Sequence, residues 1–420
     1  LLDCLLERAI LPTYSFPRNV VGFDIEDPKN GKGLLQRPER SLDLAISEYA
    51  PGRELVINKK TYLAGGFYSH ASKYSKIDEN RQFPAKAYFE SRDYHSALYF
   101  CENPACGWLG TADSLGPNHT CPFCGGNRLE ERPFLKPWGF APKNGGEVDG
   151  DKLPPKDSYA EPPSYSATPS KELTRSTIDR ISYSNESDCS LVIANRGPAR
   201  GGFDVCRKCG AAYPSTQRNE VRSKIGPPFK RDYKGAFANC SHSFVEDMVI
   251  GDVFKTDLVL FAMEINPKEV CTFYENRWLR RAVVSLAEAF RLAAVGYLDI
   301  DFSELCVGSR LRYGGDVCHA DIYLYDSLSS GAGYSSMLGN DETLCELLER
   351  SRAILEDCTC DSACLECLKH YQNKSVHKLL NRFDALDLLN YVETGEVRSP
   401  YPELNPKECR MYAFAGIHAI

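Results

Sequence analysis

Four cysteines within ten residues, Cys358-x-Cys360-x3-Cys364-x2-Cys367, constrain this chain more than any of its hydrophobic patterns. Packing that many thiols gains little, whereas one zinc ion organises a segment with almost no core of its own. A second set, Cys101-x4-Cys106 followed by Cys121-x2-Cys124, has the layout of a zinc ribbon: two hairpins, each offering two thiolates at a turn. A third begins with the knuckle Cys206-x2-Cys209-Gly210. It takes its other half from Cys240 and His242 after a long gap, with Cys189 and His319 as the other candidates. The expectation is two to three structural zinc ions. Of the 18 cysteines, those outside the clusters are scattered and include ordinary buried thiols. This usage points to metal rather than disulfides, hence to a reducing, cytoplasmic setting.

The rest of the chain reads as α+β and multi-domain. At about 100–200 residues per domain, 420 residues imply two to four domains. Short strand-like runs broken by Gly and Pro suggest a β-rich module over 1–95, including a turn around Asn58-Lys59-Lys60. The ribbon occupies 96–140. Residues 141–172, rich in proline and nearly free of apolar side chains, read as a linker or exposed loop. A second β-rich module with its own metal site spans 173–250, and a zinc-binding domain ending in helices spans 251–420. Helices are expected over 280–298, from an Asn340 N-cap onward, and over 374–393 with Gly395 as the C-terminal cap. The opening residues 1–10 read as a helix end, as if the chain continued a longer one.

Charge and missing motifs exclude several functions. With 50 basic against 57 acidic residues the chain carries −7, so any nucleic-acid contact must use a local patch. No apolar run is long enough to cross a membrane. No phosphate loop with its lysine is present, so ATP and magnesium have no site here. The cysteine-rich ligand sets leave no open position beside a general base, which makes them structural. A magnesium-nuclease core is suggested by Asp257 and Glu264, but Asn266 stands where such a core needs lysine; no catalytic residue is assigned. The turn from Asp326 to Tyr334, with Gly331 and Gly333, reads equally as a phosphate-facing strand-to-helix turn or as a turn that needs glycine for packing.

Two basic stretches are the candidate nucleic-acid contacts. Residues 217–234 hold Arg218, Arg222, Lys224, Lys230, Arg231 and Lys234 against Glu220 and Asp232. After the last cysteine come Lys369, His370, Tyr371, Lys374, His377, Lys378 and Arg382. From these, Arg222, Lys230, Arg231, Lys369, Tyr371, Lys374, His377, Lys378 and Arg382 are taken as the contacts.

In order along the chain, LLERAILPTYSFP (5–17), ISEYAPGRELVINKKTYLAGG (46–66), FLKPWGFAP (134–142), CRKCG (206–210), FKTDLVLF (254–261), YDSLSSGAGY (325–334) and CLKHYQNKSVHKLLNRFDAL (367–386) carry a resemblance. They resemble the C-terminal region of superfamily 2 DEAD/DEAH-box helicases that end in an MrfA-like zinc-binding domain. Departures are Ser330 in place of a usual glycine and Asn381 in place of a usual aspartate. The resemblance implies an accessory platform for an ATP-driven DNA translocase in repair or anti-phage defence. It would position single-stranded or junction DNA for RecA lobes elsewhere in the polypeptide or on a partner subunit. Aromatics such as Tyr371 or Trp138 would then be available to stack on bases. The competing class is an interaction subunit that recruits a helicase or nuclease and touches no DNA.

Overall fold

The computed structural model describes residues 20–27, 33–70, 83–103, 106–147, 164–167, 173–229, 239–270, 277–314, 317–327 and 331–396. Its organising element is a strand 22 residues long, Phe244–Ile265. From Leu258 onward its side chains alternate between two cores. Val259, Phe261, Met263 and Ile265 face one, Leu258 and Leu260 the other. A strand buried on both faces has no polar face, so the near-continuous apolar run LVLFAMEI follows from its position.

The elements used below are, in chain order, helix α1 (Leu42–Glu48), strands β1 (His95–Cys101), β2 (Leu129–Leu135), β3 (Ser164–Ala167), β4 (Ile181–Asn195), β5 (Phe203–Cys206) and β6 (Phe244–Ile265). Helix α2 (Arg277–Leu298), hairpin β7 (Leu305–Gly314) and β8 (Val317–Asp326), and helices α3 (Asp341–Glu356) and α4 (Arg382–Thr394) complete them. Strand β4 runs antiparallel along one edge of β6, and β3 extends the sheet beyond β4. The other edge of β6 is shared. Val249 and Ile250 pair in parallel with ribbon strand β2, and Leu258–Ile265 pair with β8. One sheet therefore joins the ribbon, the middle of the chain and the C-terminal hairpin.

Helices α2, α3 and α4 cover one face of that sheet, with Phe290 edge-on to Phe261 at 5.7 Å between ring centres. The opposite core is completed by the N-terminal segments, through Phe23, Ile46, Tyr49, Phe67 and Phe140. The Asn58-Lys59 turn is a tight hairpin, with φ of 47° and 66° at its two central residues. Helix α3 starts where Asn340 accepts from the Thr343 amide, and α4 ends on Gly395 at φ 77°.

Three expectations need correction. The division at 250/251 falls inside β6, because the alternation of that strand builds both cores at once. The expected linker contains β3, which pairs with Leu191–Ala194; outside 141–147 and 164–167 it lies beyond the described residues. The last helix does not run over 374–393. Residues Tyr371–Val376 form a 3-10 turn, and α4 begins only after Asn381, whose side chain caps the Phe383 and Asp384 amides. The expected helix end at 1–10 lies outside the described residues.

The ribbon is fixed to the hairpin through a buried charge pair. Arg310 donates to Asp321 at 2.9 Å and to the Ser166 hydroxyl at 3.1 Å, and its guanidinium lies 4.4 Å from the Phe123 ring centre. Arg312 makes two further bonds to Asp321, each of 3.1 Å. Burial alone would raise the Asp321 carboxyl, but the two arginines together hold it below the ordinary carboxylate range. Its contribution to stability is therefore present above the unfolded value of about 3.9 and is lost as pH falls through the lower folded value. Asp321→Asn leaves Arg310 buried without its counter-charge. It is expected to cost about 3–5 kcal/mol in urea unfolding at pH 7, and to flatten the acid limb of the stability profile.

Candidate metal centres and nucleic-acid interface

Each cysteine cluster brings four ligand atoms within 4.8 Å of one another. In the ribbon, β1 ends on Cys101, and the chain turns back so that the Cys101 amide donates to Trp108 O at 2.9 Å. The second knuckle closes through Cys121 N to Gly126 O at 2.8 Å, with Gly125 at φ 67°. The sulfurs of Cys101 and Cys124 stand 3.5 Å apart, as do those of Cys106 and Cys121. These separations are too long for a disulfide of about 2.05 Å and close to the ~3.8 Å of thiolates around tetrahedral zinc. Trp108, fully buried beneath Cys106 and Cys121, is the hydrophobic support of the site.

In the second cluster the chain brings Cys206, Cys209, Cys240 and His242 together. Cys206 ends β5, and the Cys209 amide points at its sulfur at 3.4 Å. Cys240 Sγ lies 3.5 Å from the sulfurs of Cys209 and Cys206, and His242 Nδ1 lies 3.6 Å from Cys206 Sγ and 3.5 Å from Cys240 Sγ. Cys189 and His319 are elsewhere, on β4 and β8. Gly210 must be glycine, since a Cβ there would sit 2.0 Å from Phe67 O and φ is 80°.

The third cluster pairs Cys358 with Cys364 at 3.5 Å, and Cys360 and Cys364 each with Cys367 at 3.8 Å. The Cys364 amide faces Cys367 Sγ at 3.2 Å. All three clusters are of the soft-ligand, closed type compatible with structural zinc.

Beyond the third knuckle, residues 368–381 are fastened to one stripe of α2. Ser285 Oγ accepts from the Asn381 amide at 2.8 Å, Glu288 meets His370 Nε2 at 2.9 Å, and Arg291 donates to Gln372. Asn373, buried, accepts from the His370 amide and donates to Leu368 O. This leaves Tyr371 46 % exposed, with Lys374 Nζ 3.7 Å and the Arg40 guanidinium 5.2 Å from its ring centre. Lys374 and Lys378 are exposed and Lys369 is half-buried.

Other expected contacts are engaged elsewhere. Arg382 is buried and donates to Cys360 O and Leu355 O, both at 2.8 Å, so it anchors the knuckle rather than facing solvent. His377 Nε2 lies 2.9 Å from Asn373 Oδ1 and 3.0 Å from His370 O. Arg222 is paired with Glu246 at 2.8 Å. Its neighbour Arg218 binds Asp204 and Asp247, and these bonds hold the buried Asp204 carboxyl low although burial pushes the other way. Lys230 and Arg231 lie outside the described residues. Trp138 stacks on Tyr88 at 4.0 Å, so that face is spent on packing.

The two catalytic-looking segments resolve as structure. Asp257 and Glu264 lie seven residues apart on β6 and so on opposite faces, about 23 Å from each other, which cannot form one magnesium site. In the glycine turn, the amides of Ala332, Gly333, Tyr334 and Ser335 all donate to the Asp326 carboxylate, at 2.5 to 3.2 Å. The anion cradle is real but is filled by the chain's own carboxylate.

A cavity of about 400 Å³ opens between α1, α2, β7 and the 371–376 turn, with Gly107 and Leu109 of the ribbon in its wall. Arg200 reaches it on a loop that Arg132 of β2 secures by donating to Arg200 O at 2.8 Å and Gly201 O at 3.1 Å. The α2 stripe contributes Arg280, Val284, Ala287, Glu288 and Arg291. No local sequence signal marks this cavity, since its cations come from segments far apart in the chain.

Residues 286–368 match the MrfA Zn-binding domain, a span that contains the third cysteine cluster, and the chain carries two further clusters outside it. The chain is similar to the Druantia protein DruE of Escherichia coli (strain UMEA 4076-1), at 32% identity over 417 residues. That match covers 94% of this chain and 22% of DruE, so the chain spans about a fifth of that relative's length. Among solved structures, the DUF1998 helicase MrfA bound to DNA has a TM-score of 0.36 at 12% identity, covering 93% of this chain and 38% of that one. A further crystal structure of the DUF1998 helicase MrfA gives 0.28 at 10% identity, covering 86% and 34%.

The knuckle geometry gives a direct test. Cys367→Ser is expected to lower bound zinc by about one equivalent, because a closed four-thiolate site loses most of its affinity with one ligand. Limited proteolysis should then cut within 368–381, which hangs from the knuckle, while the ribbon at 101–124 resists. Unchanged metal content by elemental analysis would remove the knuckle as organiser of that segment.

Proposed function

We propose, taking the MrfA-type zinc-binding domain as the premise, that this chain is a zinc-held accessory region that positions DNA for an ATP-driven motor. The motor would lie on another part of the polypeptide or on a partner subunit. One observation carries the reading: the segment after the third knuckle is pinned to α2, and the pinning leaves Tyr371 exposed beside Lys374. An exposed aromatic ring next to an ammonium with no acidic partner among the described residues is an element with which proteins hold single strands, the ring taking a base and the cation a phosphate. With an overall charge of −7, such contact must be local, and Lys369, Lys374 and Lys378 supply it on one short segment.

The chemistry of this chain would be positional. Three zinc ions would hold the ribbon, the middle knuckle and the terminal knuckle. ATP and magnesium would belong to the motor. The similarity to DruE and the MrfA domain support a place in anti-phage defence or DNA repair. A second reading, recruitment of a protein partner without DNA contact, is favoured by Leu365, 78 % exposed between the last two cysteines of the knuckle.

Purified chain is expected to contain three zinc equivalents, to bind single-stranded oligonucleotide with an affinity that falls steeply with salt, and to show no ATPase turnover. Lys374→Glu together with Lys378→Glu should weaken binding about tenfold or more and lower the salt slope by about two. An affinity that ignores both salt and these substitutions would favour the recruitment reading.

A further inference from the structure

The cavity between α1, α2 and β7 has a divided chemistry that the exposed Tyr371 segment does not explain. Its floor is apolar, from Val284 and Val307 to Leu379. Its rim carries Arg200, Arg280 and Lys374, none of which has an ion-pair partner among the described residues. Of the three acids that line it, Glu48 is paired with Arg40 at 3.1 Å and Glu288 is turned to His370 Nε2 at 2.9 Å, and Asp43 is the third. Apolar lining beside Arg200, Arg280 and Lys374 is complementary to an amphiphilic anion with a flat apolar part.

We infer that this cavity receives one unstacked nucleotide of a single DNA strand, with its base on Val284 and Val307 and its flanking phosphates on Arg280 and Lys374. The inference rests on the reading that the chain holds DNA, and adds where and in what form. A cavity of about 400 Å³ lies at the small end of ligand pockets, a size suited to one nucleotide rather than a base pair. Lys374 belongs to both features: its ammonium lies over Tyr371 and it lines the cavity, so a strand crossing Tyr371 meets the opening within one residue. The acceptance of one base at a time makes the site selective for single strands, because entry costs a duplex its pairing and stacking.

Full-length chain is the material for the test, with a thymidine oligonucleotide of about 12 residues, the same length with abasic sugars, and the corresponding duplex as probes. Abasic sugars keep every phosphate and remove the base. The expected result is an affinity about tenfold or more lower for the abasic strand and for the duplex. Val284→Trp, which fills the floor, should reduce thymidine binding to the abasic level, with zinc content serving as the check on folding. Arg280→Glu should lower the salt slope by about one on both single strands. Equal affinity for thymidine and abasic strands would overturn the nucleotide site and leave DNA binding intact. No affinity for any of the three probes would overturn the positioning reading itself, and this inference with it.

Discussion

The alternation along Phe244–Ile265 is the constraint on which the rest of the fold depends. Because successive side chains of a strand point to opposite faces, one run of residues serves two cores at once, and β8 beside it does the same with Ile322 and Leu324 on one side and Tyr323 and Tyr325 on the other. Val259, Phe261 and Met263 receive the helical layer, while Leu258 and Leu260 receive the N-terminal segments. A register slip of one residue would exchange the two sets, and neither core would accept the other's shapes. Pairing along both edges of the strand, with β4 on one side and β2 and β8 on the other, fixes that register.

The cysteine clusters sit where this sheet can no longer help. Cys101 is the last residue of β1, Cys206 the last of β5, and the terminal knuckle follows the end of α3. At each point the chain leaves regular structure for a small local core: Trp108 under Cys106 and Cys121, and Tyr68, Tyr213 and Phe229 around Cys206 and Cys209. A zinc–thiolate site contributes on the order of 10 kcal/mol in small domains, far more than a handful of polar residues gains by packing. Metal there would add to these small cores what packing of so few residues cannot supply.

This division explains how much was legible in the sequence. The clusters could be read because ligand spacing is a local property, and Asn340 and Gly395 could be read because caps are local too. The start of α4 was missed because Val376 and Leu379 continue the apolar rhythm. Ser285 instead takes the Asn381 amide, so that Asn381 can cap a new helix. Charge was misread where its partner is remote. Arg218 and Arg222 look like a basic patch until Asp204, Glu246 and Asp247 arrive from other strands. Asp326 likewise looks like part of a phosphate turn until its carboxylate is found to be the anion that the turn binds.

The same remoteness ties the ribbon to the cavity. Phe123 stands between the ligands Cys121 and Cys124, so the turn that places a thiolate also places this ring. The ring lies against Arg310, Arg310 is held by Asp321, and Arg310 is itself part of the cavity wall with Gly107 and Leu109. Arg132 on β2 adds a second connection, since it fixes the loop that brings Arg200 to the rim. Gly202 permits that approach, because a Cβ there would lie 2.4 Å from the Arg132 guanidinium. The ribbon is thus a wall of the cavity rather than an appendage, and the order its cysteines impose is the order of the rim.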